Sequence, residues 1–160
     1  MRLSCSYIIV LIESLRLTPA VPISDRMCQK PYTIQPVNPT EKPVRLDKST
    51  IIWISIDAFH KDEKYFPNRK KFDPGRFSAE NKRNINPNAY IPFEIGSRSY
   101  IDKCSRFALI EMKTIIVEIL KNFEIVPNSK TEIPLKSNRA RFSGFPDEGL
   151  WVILKPRILD

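Results

Sequence analysis

Residues 92–113, PFEIGSRSYIDKCSRFALIEMK, run from a turn into a helix. The turn centres on Gly96, one of only 4 glycines in the chain, and basic residues ring it. From Ser105 to Phe123 the polar residues Glu111, Thr114, Glu118 and Lys121 recur at steps of three and four, so they lie along one side of a helix. Most of its remaining surface is apolar, which predicts a helix buried on several sides. A lone cysteine, Cys104, stands at the join.

Working outward, the segment from Pro67 to Pro92 is polar, weakly periodic and punctuated by proline, as expected of an ordered meander or long loop. The chain has 14 prolines, which divide it into short elements and exclude a long helical bundle. Residues 7–17, YIIVLIESLRL, read as a short helix ended by Pro19 and Pro22, with Glu13 and Arg16 on one face. YTIQPV (32–37) and STIIWISI (49–56) read as strands. The second is so continuously apolar that it predicts a buried strand with Trp53 in the core. DAFHKDEKYF (57–66) is a short helix or turn with Tyr65 at the surface, and FEIVP (123–127) and LWVILKP (150–156) are two further strands. The fold class is α+β, mostly helical, with short antiparallel strands and long ordered loops.

At 160 residues the chain can bury one core, and its 42% hydrophobic and 28% charged content is that of a globular protein. Cys5, Cys28 and Cys104 are odd in number and far apart, which argues against a disulfide framework. They and the sole histidine, His60, lack the local spacing of a zinc site. The apolar run YIIVLI is far shorter than the ~20 residues of a membrane span, and ESLRLTP offers no small-residue cleavage site. The chain is therefore expected to carry no membrane anchor of its own. Its net charge of +8 suits an acidic partner, but the cations come in short clusters such as NRKK and NKRN, the pattern of a solvated surface. No nucleic-acid motif accompanies them, so a small basic nucleic-acid-binding module is the most distant reading.

Five stretches in this order, ESLR (13–16), DRMC (25–28), AFHKDEKYFPNRKKFDPGRF (58–77), YIPFEIGSRS (90–99) and RFALIEMK (106–113), resemble the C-terminal part of a cytochrome P450. The likeness is to microsomal animal members, insect enzymes among them, and it runs from about Ile8 to Arg157. It implies that residues 1–160 form a single partial domain. It also implies that Glu13, Arg16 and Arg76, the last in PGRF, form a buried charged triad locking the meander to the core. Such a network is tolerable in a dry interior only when every charge is paired. By the same resemblance Arg26 and Arg98 would bind haem propionates, a task suited to the planar guanidinium fork, and Phe93 would pack beside the axial ligand. His60 falls in the family's histidine turn and is expected to be structural.

The resemblance breaks at the ligand. Seven positions after Phe93, where the family has its axial cysteine, stands Tyr100; four before Arg106, counted from the other side, stands Asp102. The two counts differ by an apparent two-residue insertion, and Cys104 satisfies neither. Each residue advances the chain by roughly 3.3 Å, so such a slip displaces a sulfur by several ångströms. Three readings stay open: Cys104 ligates iron after rearrangement, Tyr100 takes the axial place, or haem is bound weakly or not at all.

The resemblance implies a haem-dependent monooxygenase acting on an apolar small molecule. An NADPH-dependent flavoprotein reductase would supply electrons at the cytosolic face of the endoplasmic reticulum membrane. The competing expectation is a non-catalytic remnant without haem.

Overall fold

The computed structural model describes residues 5–93, 100–133 and 149–157, and at 5–6 and 100–105 the course of the backbone. The elements are α1 (Cys5–Leu17), β1 (Ile23–Met27), β2 (Tyr32–Ile34), β3 (Val44–Leu46), β4 (Ile51–Ser55), α2 (Ile56–His60), 3-10 turns at Pro74–Phe77 and Lys82–Asn84, α3 (Tyr100–Asn122), β5 (Phe123–Pro127) and β6 (Val152–Pro156). The strands pair as three separate antiparallel ribbons, β1 with β4, β2 with β3 and β5 with β6. This is the α+β arrangement expected, with long ordered connections between short elements.

Local chemistry explains the boundaries. In α1 the Thr18 amide still donates to the Ser14 carbonyl at 2.8 Å, but Pro19 has no N–H with which to continue. The Ser55 hydroxyl caps α2 by accepting from the Ala58 amide at 3.3 Å. The turn at Pro74–Phe77 opens on Asp73, whose carboxylate accepts from the Gly75 amide at 3.2 Å, with Pro74 preset for the first position.

The core lies where α1, α2 and the meander meet. Leu11 and Leu15 of α1 are buried with Ile56, Phe66, Ala89 and Ile91, and the same region hides the polar residues Glu13, Arg16, Ser24 and His60. Another side of α1 faces α3, where Tyr7, Ile8 and Leu11 approach Lys113, Ile116 and Val117 around a gap of about 10 Å³.

Two burial expectations are corrected. β4 is not a buried strand: it alternates, with Ile51, Trp53 and Ser55 exposed, and Trp53 is 71% accessible rather than in the core. Its only described partner is β1, with Trp53 opposite Asp25, so one face of the two-stranded ribbon meets the core and the other meets solvent. Nor is α3 buried on several sides. Among its described side chains none is fully buried, and Phe107 and Ile110 are 68% and 61% accessible. Its apolar circumference outruns what the described residues can cover.

That exposure has a measurable consequence. Large apolar side chains left exposed on one helix, here Phe107, Ile110 and Ile115 beside the polar stripe, favour association. The purified chain is expected to self-associate at micromolar concentration and to bind a hydrophobic dye such as ANS. Sedimentation showing a monodisperse monomer that melts cooperatively would contradict this.

Candidate functional site

The most constrained constellation surrounds Arg16. Glu13 and Arg16 lie one turn apart on the inward face of α1, both fully inaccessible. Arg16 Nε donates to Glu13 Oε2 and Nη2 to Oε1, each at 2.8 Å, a bidentate fork. The remaining guanidinium hydrogens reach backbone oxygens: Nη1 donates to the His60 carbonyl at 2.9 Å, and Nη2 to those of Arg69 at 2.9 Å and Lys71 at 3.3 Å. The guanidinium also lies 5.3 Å from the Phe66 ring centroid, within cation–π range.

Arg76 enters from the other side. Its Nε is 3.7 Å from Glu13 Oε1, while Nη1 donates to the Pro67 carbonyl and Nη2 to the Asn68 carbonyl at 3.0 Å. Glu13 Oε1 further accepts from the Asp73 amide at 2.9 Å, tying the turn that carries Arg76 back to α1. The structure thus brings Glu13, Arg16 and Arg76 together. One carboxylate faces two guanidinium groups, and the surplus positive charge is met by carbonyl oxygens of residues 60, 67, 68, 69 and 71. Asn68 adopts φ +54° as the loop turns. Asparagine tolerates that left-handed conformation better than most residues. With the oxygens turned inward, the side chains of the loop rim an outer polar cleft of about 400 Å³ lined by Glu63, Asn68, Arg69, Lys70 and Lys71.

His60 and Tyr90 extend the network toward the segment that precedes residue 94. The Ile91 amide donates to His60 Nε2 at 2.9 Å, and the two rings of His60 and Tyr90 stack with centroids 5.3 Å apart. The Tyr90 hydroxyl donates to the Ile12 carbonyl of α1 at 3.0 Å. Burial, reinforced by the nearby Arg16 charge, holds the His60 pKa down at about 4, so the ring is neutral at physiological pH. Burial and then the Glu13 charge push the Tyr90 phenol well above its ordinary value.

The residues expected to meet haem are placed less completely. Arg26 lies on β1, half-buried, its Nη1 donating to Ser24 Oγ and to the Asp25 carbonyl, both at 2.7 Å. Phe93 is half-buried at the end of the described meander. Arg98 lies outside the described residues. Tyr100 and Cys104 fall within the first turns of α3, whose described backbone already begins at Tyr100. Among the described side chains His60 Nε2 is engaged by Ile91, Cys28 Sγ donates to the Lys30 carbonyl at 3.0 Å, and no cluster of three His, Cys, Asp or Glu occurs. Arg26 is the propionate candidate whose side chain is described, and the axial candidates Tyr100 and Cys104 are described in backbone alone.

Sequence reading missed three links: Asp73 to Glu13, Tyr90 to Ile12, and His60 to Ile91. All three involve backbone groups that carry no residue signature. For the third, the family's histidine turn marked His60 as structural but did not point to its partner.

Comparison with known proteins places these features. The sequence model of the cytochrome P450 family matches residues 9–151. The chain is 44% identical over 148 residues to cytochrome P450 9e2 of Blattella germanica, covering 92% of the chain and 27% of that protein. It is 41% identical to probable cytochrome P450 9f2 of Drosophila melanogaster over 148 residues, 92% of the chain and 28% of the relative. Over 130 residues it is 40% identical to cytochrome P450 3A13 of Mus musculus, 81% of the chain and 24% of the relative. The chain thus spans about a quarter of the length of the curated relatives it matches.

Proposed function

The chain belongs to the cytochrome P450 family, whose cofactor is haem, and from that premise we propose that it supplies the C-terminal structural part of a haem monooxygenase. The lock of Glu13, Arg16 and Arg76 is the observation that carries this reading. It holds the meander to α1 through main-chain oxygens, and the meander leads directly to residues 94–99 of the sequence. In this reading residues 1–160 are one partial domain, Arg26 and Arg98 hold propionates, and Phe93 packs beside the axial position.

The reaction is insertion of one atom of O2 into an apolar small molecule, the other atom leaving as water. Electrons come from an NADPH-dependent flavoprotein reductase. The work takes place at the cytosolic face of the endoplasmic reticulum membrane. Among the described residues no helix is long and apolar enough to cross a membrane. The charge of +8 supports an acidic reductase face as the docking partner.

A second reading, a non-catalytic remnant, draws support from α3. An axial thiolate is favoured in a loop whose backbone N–H groups and following helix N-terminus stabilise the sulfur. Asp102 and Cys104 instead lie inside a helix that starts at Tyr100. The two readings separate in the carbon monoxide difference spectrum of the dithionite-reduced, haem-reconstituted chain. A thiolate-type band supports Cys104 as ligand, a shifted band supports Tyr100 or another ligand, and no band supports the remnant.

A further inference from the structure

We infer that His60, as the Nδ1–H tautomer, is a protonation-controlled latch that positions the Tyr90–Ile91 segment just ahead of Phe93. The geometry assigns the tautomer. The Ile91 amide points its hydrogen at Nε2 from 2.9 Å, so Nε2 must present a lone pair. A proton on Nε2 would set two N–H groups against each other. The ring proton therefore sits on Nδ1, which is buried and has no hydrogen-bond partner among the described residues. A histidine kept in place despite that unpaired donor is held for the acceptor on its other side.

His60 is connected at both ends. Its own carbonyl accepts from Arg16 of the lock, 2.9 Å away, while its ring accepts from Ile91, 31 residues further along. Ring contacts to Tyr90 and edge-on to Phe66 fix its plane. It thus passes the position of the charged lock on to Ile91, two residues before Phe93, beside the bond that the Tyr90 hydroxyl makes to the Ile12 carbonyl of α1.

The latch responds to a proton because of what surrounds it. From α1 it faces Arg16, and behind that Glu13; from its own helix and cap, Asp57 and Lys61; from the held segment, the Tyr90 phenol. Arg76 reaches Glu13 from the meander. An imidazolium would add charge beside Arg16 and lose its acceptor for Ile91 in the same step. The expected result is release of the Ile91 amide while the Tyr90 hydroxyl bond to Ile12 and the Glu13–Arg16 fork stay closed. This depends on hydrogen-bond geometry alone and is independent of whether haem binds.

The full chain holds one histidine, so a sample labelled with ¹⁵N in the histidine ring gives a single, unambiguous pair of ring signals. At neutral pH, Nε2 is expected as the unprotonated, hydrogen-bond-accepting nitrogen and Nδ1 as the protonated one. An Nε2–H tautomer would overturn the latch, whatever the variants do. In His60→Phe, which keeps an aromatic ring but no acceptor, exchange of the Ile91 amide should accelerate about tenfold relative to the Thr18 amide of α1. His60→Gln, whose side-chain oxygen can reach a similar position, should restore most of the protection. Unchanged Ile91 exchange in His60→Phe, or equal loss in both variants, would reduce His60 to a space-filling ring. Should His60→Phe not fold, the wild-type tautomer decides alone.

Discussion

The Glu13→Gln variant is expected to lose about 3–5 kcal/mol of stability, enough to unfold a domain of ordinary marginal stability. The change conserves shape and removes only charge, so packing loss is not the cause. Among the described residues Glu13 is the sole carboxylate facing Arg16 and Arg76, accepting two guanidinium bonds and the Asp73 amide. Glutamine would present an NH2 group to one of these three donors, setting donor against donor. Two guanidinium groups would remain buried with carbonyl dipoles alone for company. Urea unfolding followed by circular dichroism measures the loss. If Glu13→Gln proved within 1 kcal/mol of the parent, solvent must reach the lock and the buried network would not be what fastens the meander. Arg16→Lys is a useful companion: a single ammonium cannot reproduce a fork that reaches Glu13 and the carbonyls of His60, Arg69 and Lys71 together.

The second large effect is acid sensitivity. His60 titrates at about 4 when folded, against an ordinary 6.5, because burial and the Arg16 charge disfavour the imidazolium. Between those two values the unfolded chain binds more protons than the folded one. Stability is therefore full above about pH 6.5, declines as the pH falls below it, and has lost this whole contribution below about 4. The contribution amounts to at most about 3 kcal/mol. Carboxylates titrate over part of the same range, so the informative quantity is the difference between the parent and His60→Gln. Urea midpoints at pH 7.5 and 4.5 should draw apart more in the parent than in the variant. Equal pH dependence in both would mean that the ring is hydrated in the folded chain.

Much of the scaffold was legible in the residues. The strands FEIVP and VILKP and the end of α1 ahead of Pro19 follow from local rules, because strand-forming composition or a missing N–H acts within a few positions, whereas the pairing of the two strands is a long-range fact. The meeting of Glu13, Arg16 and Arg76 was expected only from the family resemblance, since nothing in a spacing of 60 residues dictates it. What could not be read was coverage. STIIWISI is equally apolar whether it has a second layer on both faces or on one, and Trp53 faces solvent because β4 has only β1 beside it among the described residues. The same holds for α3, whose apolar circumference states what it can bury but not what is there to bury it. Main-chain contacts such as Asp73 to Glu13 were invisible for another reason: every residue except proline owns the same amide.

The inward-facing oxygens of residues 67, 68, 69 and 71 separate shape from identity in that loop. Arg16 and Arg76 recognise peptide groups common to any amino acid, so their bonds do not read the side chains of this loop, although Arg69 adds a bond of its own to the Lys61 carbonyl at 2.8 Å. A lineage could recolour the patch at Lys70 and Lys71 from basic to neutral or acidic, and so change which molecules the rim attracts, without disturbing the main-chain bonds underneath.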